Sequence, residues 1–332
     1  MGGKALLVLG INVQRIEGKD VYDKLCERAC TILYEFFRRV EPLPQVSWKT
    51  SFGDVDILVA DPIKPLELEN CVTRGDYSSF LVENYQIDAI NVDLSYFAFA
   101  KMNLFSDMSA CLGGILKRMN CKFSHDGLWY IGAEIGNKIL LTRDVNTFLT
   151  FMGLSQPFPF DIPSYEDFFH YLLHSRFDLA GYILDVYHDY LTTEDKTQLK
   201  RGGDNHRKSR NFRNGRQCFT QFVGYIQEHR DELESRQYVR DEDNALLHGE
   251  TLVKEFGDEV YDVYVKQKES IEMHKRFHEK CNGKIFMRLI DLRGKELGDF
   301  IEAFIRKYGK EQIIEMTKEE IEERIVDFHA TY

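Results

Sequence analysis

Proline and glycine are scarce, with 7 and 23 among 332 residues, which argues against a fibrous or linker-like protein. No apolar run approaches 18 residues, so the sequence predicts no transmembrane helix. The first residues, MGGKALLVLG, lack the length and the cleavage site of a signal peptide. The seven cysteines are scattered and none forms a C-x-x-C pair, so we expect reduced thiols, no zinc knuckle and a cytoplasmic location.

Apolar and charged residues are plentiful, at 43% and 29% of the chain, a balance typical of a well-packed globular protein. At roughly 100–200 residues per domain, a chain of 332 residues suggests two domains. The net charge of −11 disfavours indiscriminate binding to nucleic acid, because an acidic surface repels phosphates. This net charge does not exclude a local basic groove. We expect no membrane partner.

The two halves of the chain differ in their patterns. Residues 20–40 have helical spacing, and short β-rich runs separated by turns follow between 46 and 141. Beyond them the patterns are almost entirely helical. The proline-rich stretch LSQPFPFDIP is the expected junction. We therefore predict an α+β fold: a mixed β-sheet head with helices on one side over residues 1–153, followed by an α-helical domain over 154–332.

The segment GDVDILVA carries the most specific chemical pattern. Side chains alternate along a strand, so Val55, Ile57 and Val59 are expected to face the core while Asp54 and Asp56 share the opposite face. Two neighbouring carboxylates repel each other, and a divalent cation relieves that repulsion. A solvated strand edge remains the open alternative for the aspartate pair taken alone.

A second aspartate in a strand-like context, Val92-Asp93-Leu94, follows 37 residues after Asp56. If the two strands are neighbours, Asp93 joins Asp54 and Asp56 in a three-carboxylate metal site. Hard oxygen ligands suit Mg²⁺ better than zinc. Two such ions can clamp the attacking and leaving oxygens of a phosphoryl transfer. The spacing therefore predicts a magnesium site at the edge of a sheet.

The run SFGDVDILVADP resembles the catalytic strand of the polymerase-beta nucleotidyltransferase superfamily, whose pattern is G-D-x-D followed by apolar residues. Family X DNA polymerases carry a similar run that ends in proline, matched here by Pro62. Their third carboxylate lies on a later strand between apolar residues, matched by Asp93. The resemblance extends over about residues 45–165. It implies catalysis by two Mg²⁺ ions, or Mn²⁺, held by Asp54, Asp56 and Asp93.

The segment CLGGILKRMNCKFSHDGL resembles another family X segment, in which a glycine-containing turn precedes a helix beside the incoming nucleotide. The superfamily normally has a Gly-Gly or Gly-Ser pair about ten residues before the paired aspartates, where this chain has Leu43 and Pro44 instead. Residues just before the aspartates are therefore added as candidate phosphate contacts. The nucleotide-binding residues that we predict are Gly53, Gly113, Gly114, Lys117, Arg118, Ser51 and Lys49.

The stretch 200–216 contains seven Lys or Arg residues against one Asp, a local basic field on an acidic protein. Basic side chains neutralise phosphates, and the alternative is a solvated loop between helices. Farther along, LRGKELGDFI resembles a short stretch in the helical tail of tRNA nucleotidyltransferases. The residues predicted to contact nucleic acid are Arg207, Lys208, Arg210, Arg213 and Arg216.

Together these features predict transfer of a nucleoside monophosphate from an NTP or dNTP to the 3′-hydroxyl of a nucleic acid, with release of pyrophosphate. The acceptor is expected to be a tRNA-like or primer end. One alternative is nucleotidyl transfer to a protein or small molecule, which needs no basic groove. The other is a catalytically silent nucleic-acid-binding protein, which the missing glycine pair suggests. The sequence does not indicate an oligomeric state.

Overall fold

The computed structural model describes residues 5–46, 48–105, 108–184, 217–238, 247 and 249–332. The chain forms two compact units, Met1–Tyr130 with Leu140–Gly257, and Ile131–Ile139 with Asp258–Tyr332. The predicted division between residues 153 and 154 falls inside the first unit. Aromatic side chains from both sides of it pack together there, because the Phe105 ring contacts those of Phe158, Phe160 and Phe168.

The first unit is built from short strands and mostly short helices. Its strands are β1 (Ile16–Glu17), β2 (Phe37–Pro42), β3 (Ser51–Phe52), β4 (Val55–Pro62), β5 (Val72–Arg74), β6 (Tyr77–Val82), β7 (Tyr85–Asn91), β8 (Cys121–Ser124), β9 (Gly127–Tyr130) and β10 (Ile139–Thr142). The α-helices described from end to end in this unit are α1 (Lys19–Leu33), α2 (Phe97–Leu104), α3 (Met108–Arg118), α4 (Val145–Met152), α5 (Tyr165–Leu173), α6 (Gln217–Glu228), α7 (Arg230–Glu234) and α8 (Gly249–Lys254). Short 3-10 helices cover Ala5–Leu9 and Leu94–Tyr96.

The largest sheet has five strands in the order β2-β4-β7-β6-β5. Strands β4 and β7 are parallel, and the other neighbours are antiparallel. The parallel register sets Asp56 directly opposite Asp88. Strands β8, β9 and β10 form a three-stranded sheet, and β1 pairs with β3. The predicted α+β class is confirmed.

Both faces of the five-stranded sheet are covered. Val55, Ile57 and Val59 are fully buried, as the alternation predicts, in the cluster to which helix α1 contributes. On the opposite face, Leu58 and Ile90 pack in a cluster with side chains from α2. Helices thus lie on both sides of this sheet, whereas we expected them on one side only. The face covered by α2 carries carboxylates instead of apolar groups where strand β4 begins.

The second unit is helical, apart from the segment Ile131–Ile139. Its buried core includes Phe286, Phe300 and Phe304. None of the helices in the described part of the chain combines the length and the apolar character that crossing a bilayer requires. The helices of this unit are α9 (Asp258–Lys280), α10 (Gly283–Leu289), α11 (Gly294–Tyr308), α12 (Lys310–Glu315) and α13 (Lys318–Thr331).

Candidate metal centre

Three aspartates meet at the junction of β4 and β7. Asp54 immediately precedes β4, Asp56 is the second residue of that strand, and Asp88 lies opposite it on β7. One carboxylate oxygen from each side chain lies within 4.8 Å of the other two. All three side chains are partly buried. Since carboxylate oxygens are the preferred ligands of hard divalent cations, this group can hold a metal ion.

The protonation of these aspartates reflects the cost of crowding negative charges in a partly buried place. Burial, together with the charges of Asp54 and Asp88, raises the pKa of Asp56 to about 8, against an opposing effect of Lys49. Burial is the largest cause that raises the pKa of Asp88, which reaches about 6 although a hydrogen bond from Ser79 lowers it. The fully ionised cluster is therefore unfavourable without a cation.

Two buried polar side chains hold Asp88 in place. Gln86 is 1% exposed, and its Nε2 donates to Asp88 Oδ1 at 2.8 Å. The Gln86 Oε1 accepts from the backbone amide of Ala5 at 3.2 Å, which orients the NH₂ group toward the aspartate. Ser79 is 4% exposed, faces Asp88 across the strand pair and also hydrogen bonds to it. Burying polar groups is costly unless they are paired, so this arrangement fixes the Asp88 carboxyl group.

Asp93 does not belong to this cluster, and the prediction that it is the third metal ligand is wrong. It lies two residues beyond the end of β7, and its carboxylate caps the following 3-10 helix by accepting from the Ser95 amide at 2.7 Å. Hydrogen bonds from the Ser95 hydroxyl and from its backbone amide lower the pKa of Asp93. The parallel register explains the error, because position 88, not 93, lies across from Asp56. Asp93 also lies an odd number of residues from Asp88, so an extended strand would direct the two to opposite faces.

A signal for Asp88 was present in the sequence. Ile87-Asp88-Ala89 has the same apolar-Asp-apolar context as Val92-Asp93-Leu94. Local sequence context cannot show whether Asp88 or Asp93 is the third ligand, because the answer depends on which residue pairs with Asp56. Gln86 and Ser79 have no recognisable sequence signal, since their importance comes from burial beside Asp88.

The predicted contacts just before the paired aspartates have different surroundings. Gly53 lies next to Asp54 in the link between β3 and β4. The Lys49 ammonium group donates to Gln45 Oε1 at 3.0 Å and acts electrostatically on Asp56. Ser51 Oγ accepts from Arg15 Nε at 2.5 Å and donates to Glu17 Oε1 at 3.1 Å. Lys49 is therefore the member of this group whose charge reaches the metal centre.

Gly113 and Gly114 lie inside helix α3, so the predicted glycine turn before a helix is wrong. Lys117 and Arg118 occupy the last turn of that helix, and the Arg118 guanidinium lies 5.3 Å from the Tyr182 ring centroid. A Cβ at Gly114 would lie 2.8 Å from the Tyr182 ring, whereas one at Gly113 would meet nothing within 4 Å. Gly114 therefore allows Tyr182 to approach the helix closely.

Replacing Gly113 by alanine is expected to raise the free energy of unfolding by up to about 1 kcal/mol, because glycine is a poor helix former. The same replacement at Gly114 is expected to lower it by about 1–3 kcal/mol, since the added methyl group collides with the Tyr182 ring. Urea denaturation of the two variants measures both changes. Equal effects at the two positions would contradict the packing of Tyr182 on α3.

Comparison with known family models, with curated proteins and with solved structures finds no match to this chain. The predicted nucleic-acid contacts lie outside the residues that the structure describes. These are Arg207, Lys208, Arg210, Arg213 and Arg216.

Proposed function

We propose that this protein is a nucleotidyltransferase that resembles the polymerase-beta superfamily. It transfers a nucleoside monophosphate from an NTP or dNTP to the 3′-hydroxyl of a nucleic acid and releases pyrophosphate. The observation that carries the proposal is the meeting of three carboxylates. Two of them come from the Gly-Asp-x-Asp strand, and the third comes from Ile87-Asp88-Ala89 on a later strand. This segment has the apolar-Asp-apolar context of the superfamily's third carboxylate, in place of Asp93.

Each aspartate has a role in the proposed reaction. Asp54 and Asp56 would hold both divalent ions, and Asp88 would hold the catalytic ion. Bound Mg²⁺, or Mn²⁺, would supply positive charge to neutralise the triphosphate. A bound cation favours the ionised form of all three carboxylates, and solvent water takes up the proton that the attacking hydroxyl loses.

Several residues are available to the triphosphate. Lys49 is the best placed among the predicted phosphate contacts, because its charge acts on Asp56. A lysine beside the carboxylates offers a point charge to phosphate oxygens without depending on a glycine pair. Lys117 and Arg118, in the last turn of α3, remain proposed phosphate contacts. These basic side chains would take the place of the Gly-Gly or Gly-Ser pair that is missing before the paired aspartates.

Pyrophosphate release tests the activity. We expect the protein with Mg²⁺ to release pyrophosphate and to label an acceptor when it is incubated with the four labelled NTPs or dNTPs. The acceptors to compare are tRNA, a primer–template and no acceptor. The double variant Asp54→Asn, Asp56→Asn should lose the activity. Pyrophosphate release that persists in this variant would show that the reaction takes place at another site. No release under any condition favours the catalytically silent binding protein.

The identity of the acceptor is tested in the same assay by replacing Arg207, Lys208, Arg210 and Arg213 with glutamine. Loss of these four phosphate contacts should weaken nucleic-acid binding and reduce its salt dependence by roughly three units of log–log slope. Mn²⁺ binding by the three aspartates should be retained. Unchanged nucleic-acid binding instead favours transfer to a protein or a small molecule.

A further inference from the structure

Two imidazole groups lie side by side on helix α9 of the second unit. His274 and His278 are four residues apart, and both side chains are exposed. Their Nε2 atoms are 2.9 Å apart, and their ring centroids are separated by 4.2 Å. Residues at this spacing share one helix face, so both rings can bind one ligand without a change in the backbone. The sequence pattern alone does not show that the two nitrogens converge.

The distance between the two nitrogens defines the metal geometry that they fit. A metal–imidazole bond is about 2.0–2.1 Å long, so an ion bonded equally to two nitrogens 2.9 Å apart has an N–M–N angle of about 90°. Adjacent ligands in tetragonal complexes make such an angle. A tetrahedral ion with the same bonds requires about 3.4 Å between the nitrogens. The separation therefore favours Cu²⁺ or Ni²⁺ over Zn²⁺.

The helix that carries the pair is well anchored. Phe277, on the same helix, and Cys281, directly after its end, are 3% and 2% exposed and belong to the core of the second unit. Asn282 Nδ2 donates to the His278 backbone carbonyl at 2.9 Å, which stabilises the end of the helix. The two rings already lie at ligand separation, so metal binding requires little reorganisation.

We propose that His274 and His278 form a bidentate site for Cu²⁺ or Ni²⁺, with water at the remaining coordination positions. Each ring contributes its Nε2 lone pair, so the ring that carries its proton on Nε2 in the metal-free form carries it on Nδ1 when the metal is bound. This site differs in kind from the aspartate cluster, because imidazole suits transition metals such as Cu²⁺ and Ni²⁺ while carboxylates suit Mg²⁺. It does not depend on the proposed nucleotidyltransferase activity.

The proposal is tested by titrating the full chain, without a polyhistidine tag, with Ni²⁺ or Cu²⁺ in a calorimeter at about pH 7.5, where most imidazoles are neutral. Excess Mg²⁺ is present to occupy the aspartate cluster. We expect one equivalent to bind, and His274→Gln and His278→Gln each to weaken binding at least tenfold. Circular dichroism verifies that both variants keep their helices.

The histidine pair at the C-terminal end of α5, with His170 inside the helix and His174 as its C-cap, provides a matched control. His170 and His174 have the same spacing and ring centroids 4.3 Å apart, but His174 Nδ1 contacts the backbone carbonyl of His170. The double variant His170→Gln, His174→Gln should keep the α9 site. The proposal is overturned if the wild-type protein binds neither ion, or if binding survives His274→Gln and His278→Gln. It is also overturned if binding is lost only in the control variant.

Discussion

Replacing Asp88 by asparagine is expected to abolish divalent-metal binding and to lower the proposed nucleotidyl transfer by on the order of a hundredfold or more. The reason is geometric, since Asp88 supplies the third carboxylate within 4.8 Å of Asp54 and Asp56. Asparagine keeps the shape of the side chain and removes its negative charge. The variant should therefore fold normally while it loses a metal ligand.

The matched control for Asp88 is the same replacement at Asp93. Both aspartates lie between apolar residues, but the Asp93 carboxylate is exposed and caps a 3-10 helix. Asparagine is also a good capping residue, so Asp93→Asn should leave metal binding and transfer near wild-type values. Mn²⁺ binding and pyrophosphate release are the two measurements. Activity lost in Asp93→Asn but kept in Asp88→Asn would refute the site.

The metal-free protein is expected to become less stable as the pH rises from about 4 to about 8. In the unfolded chain Asp56 ionises near pH 4, whereas in the folded protein its pKa is raised to about 8 and that of Asp88 to about 6. Between these pH values the folded state therefore binds more protons than the unfolded state. The free energy of unfolding falls with rising pH wherever this is so. The expected loss is on the order of several kcal/mol.

Urea denaturation in EDTA at intervals between about pH 4.5 and 8.5 measures this loss. Adding Mg²⁺ or Mn²⁺ at the upper end should restore stability, because a ligand that binds only the folded state stabilises it. Asp56→Asn should flatten the pH profile and be more stable than the wild type at high pH without metal. Asp93→Asn should retain the wild-type slope. Stability that rises with pH in EDTA would contradict the crowding of these carboxylates.

A good part of the first unit was predictable from local patterns. The alternation around Val55, Ile57 and Val59 predicted their burial, and the fully buried side chains confirm it. The same alternation placed Asp54 and Asp56 together, where the structure has them. These inferences succeeded because the period of a strand is a property of the backbone and does not depend on distant partners.

The helix around Gly113 and Gly114 was predicted less well. Adjacent glycines commonly mark a turn, and we expected one. In the structure they lie within α3, whose buried side chains include Leu112 and Ile115. Tertiary packing thus outweighs the weak helix propensity of glycine, and the close approach of Tyr182 gives Gly114 a packing role.

The sequence by itself determined that this is an α+β protein with a carboxylate pair at the start of a buried strand. Only the tertiary structure decided that Asp88 completes the group, that Gln86 and Ser79 orient it, and that the two imidazoles of α9 converge. The physical reason is the range of the interactions. Spacing along one strand or helix is local, whereas the pairing of β4 with β7 depends on the packing of both faces of the sheet.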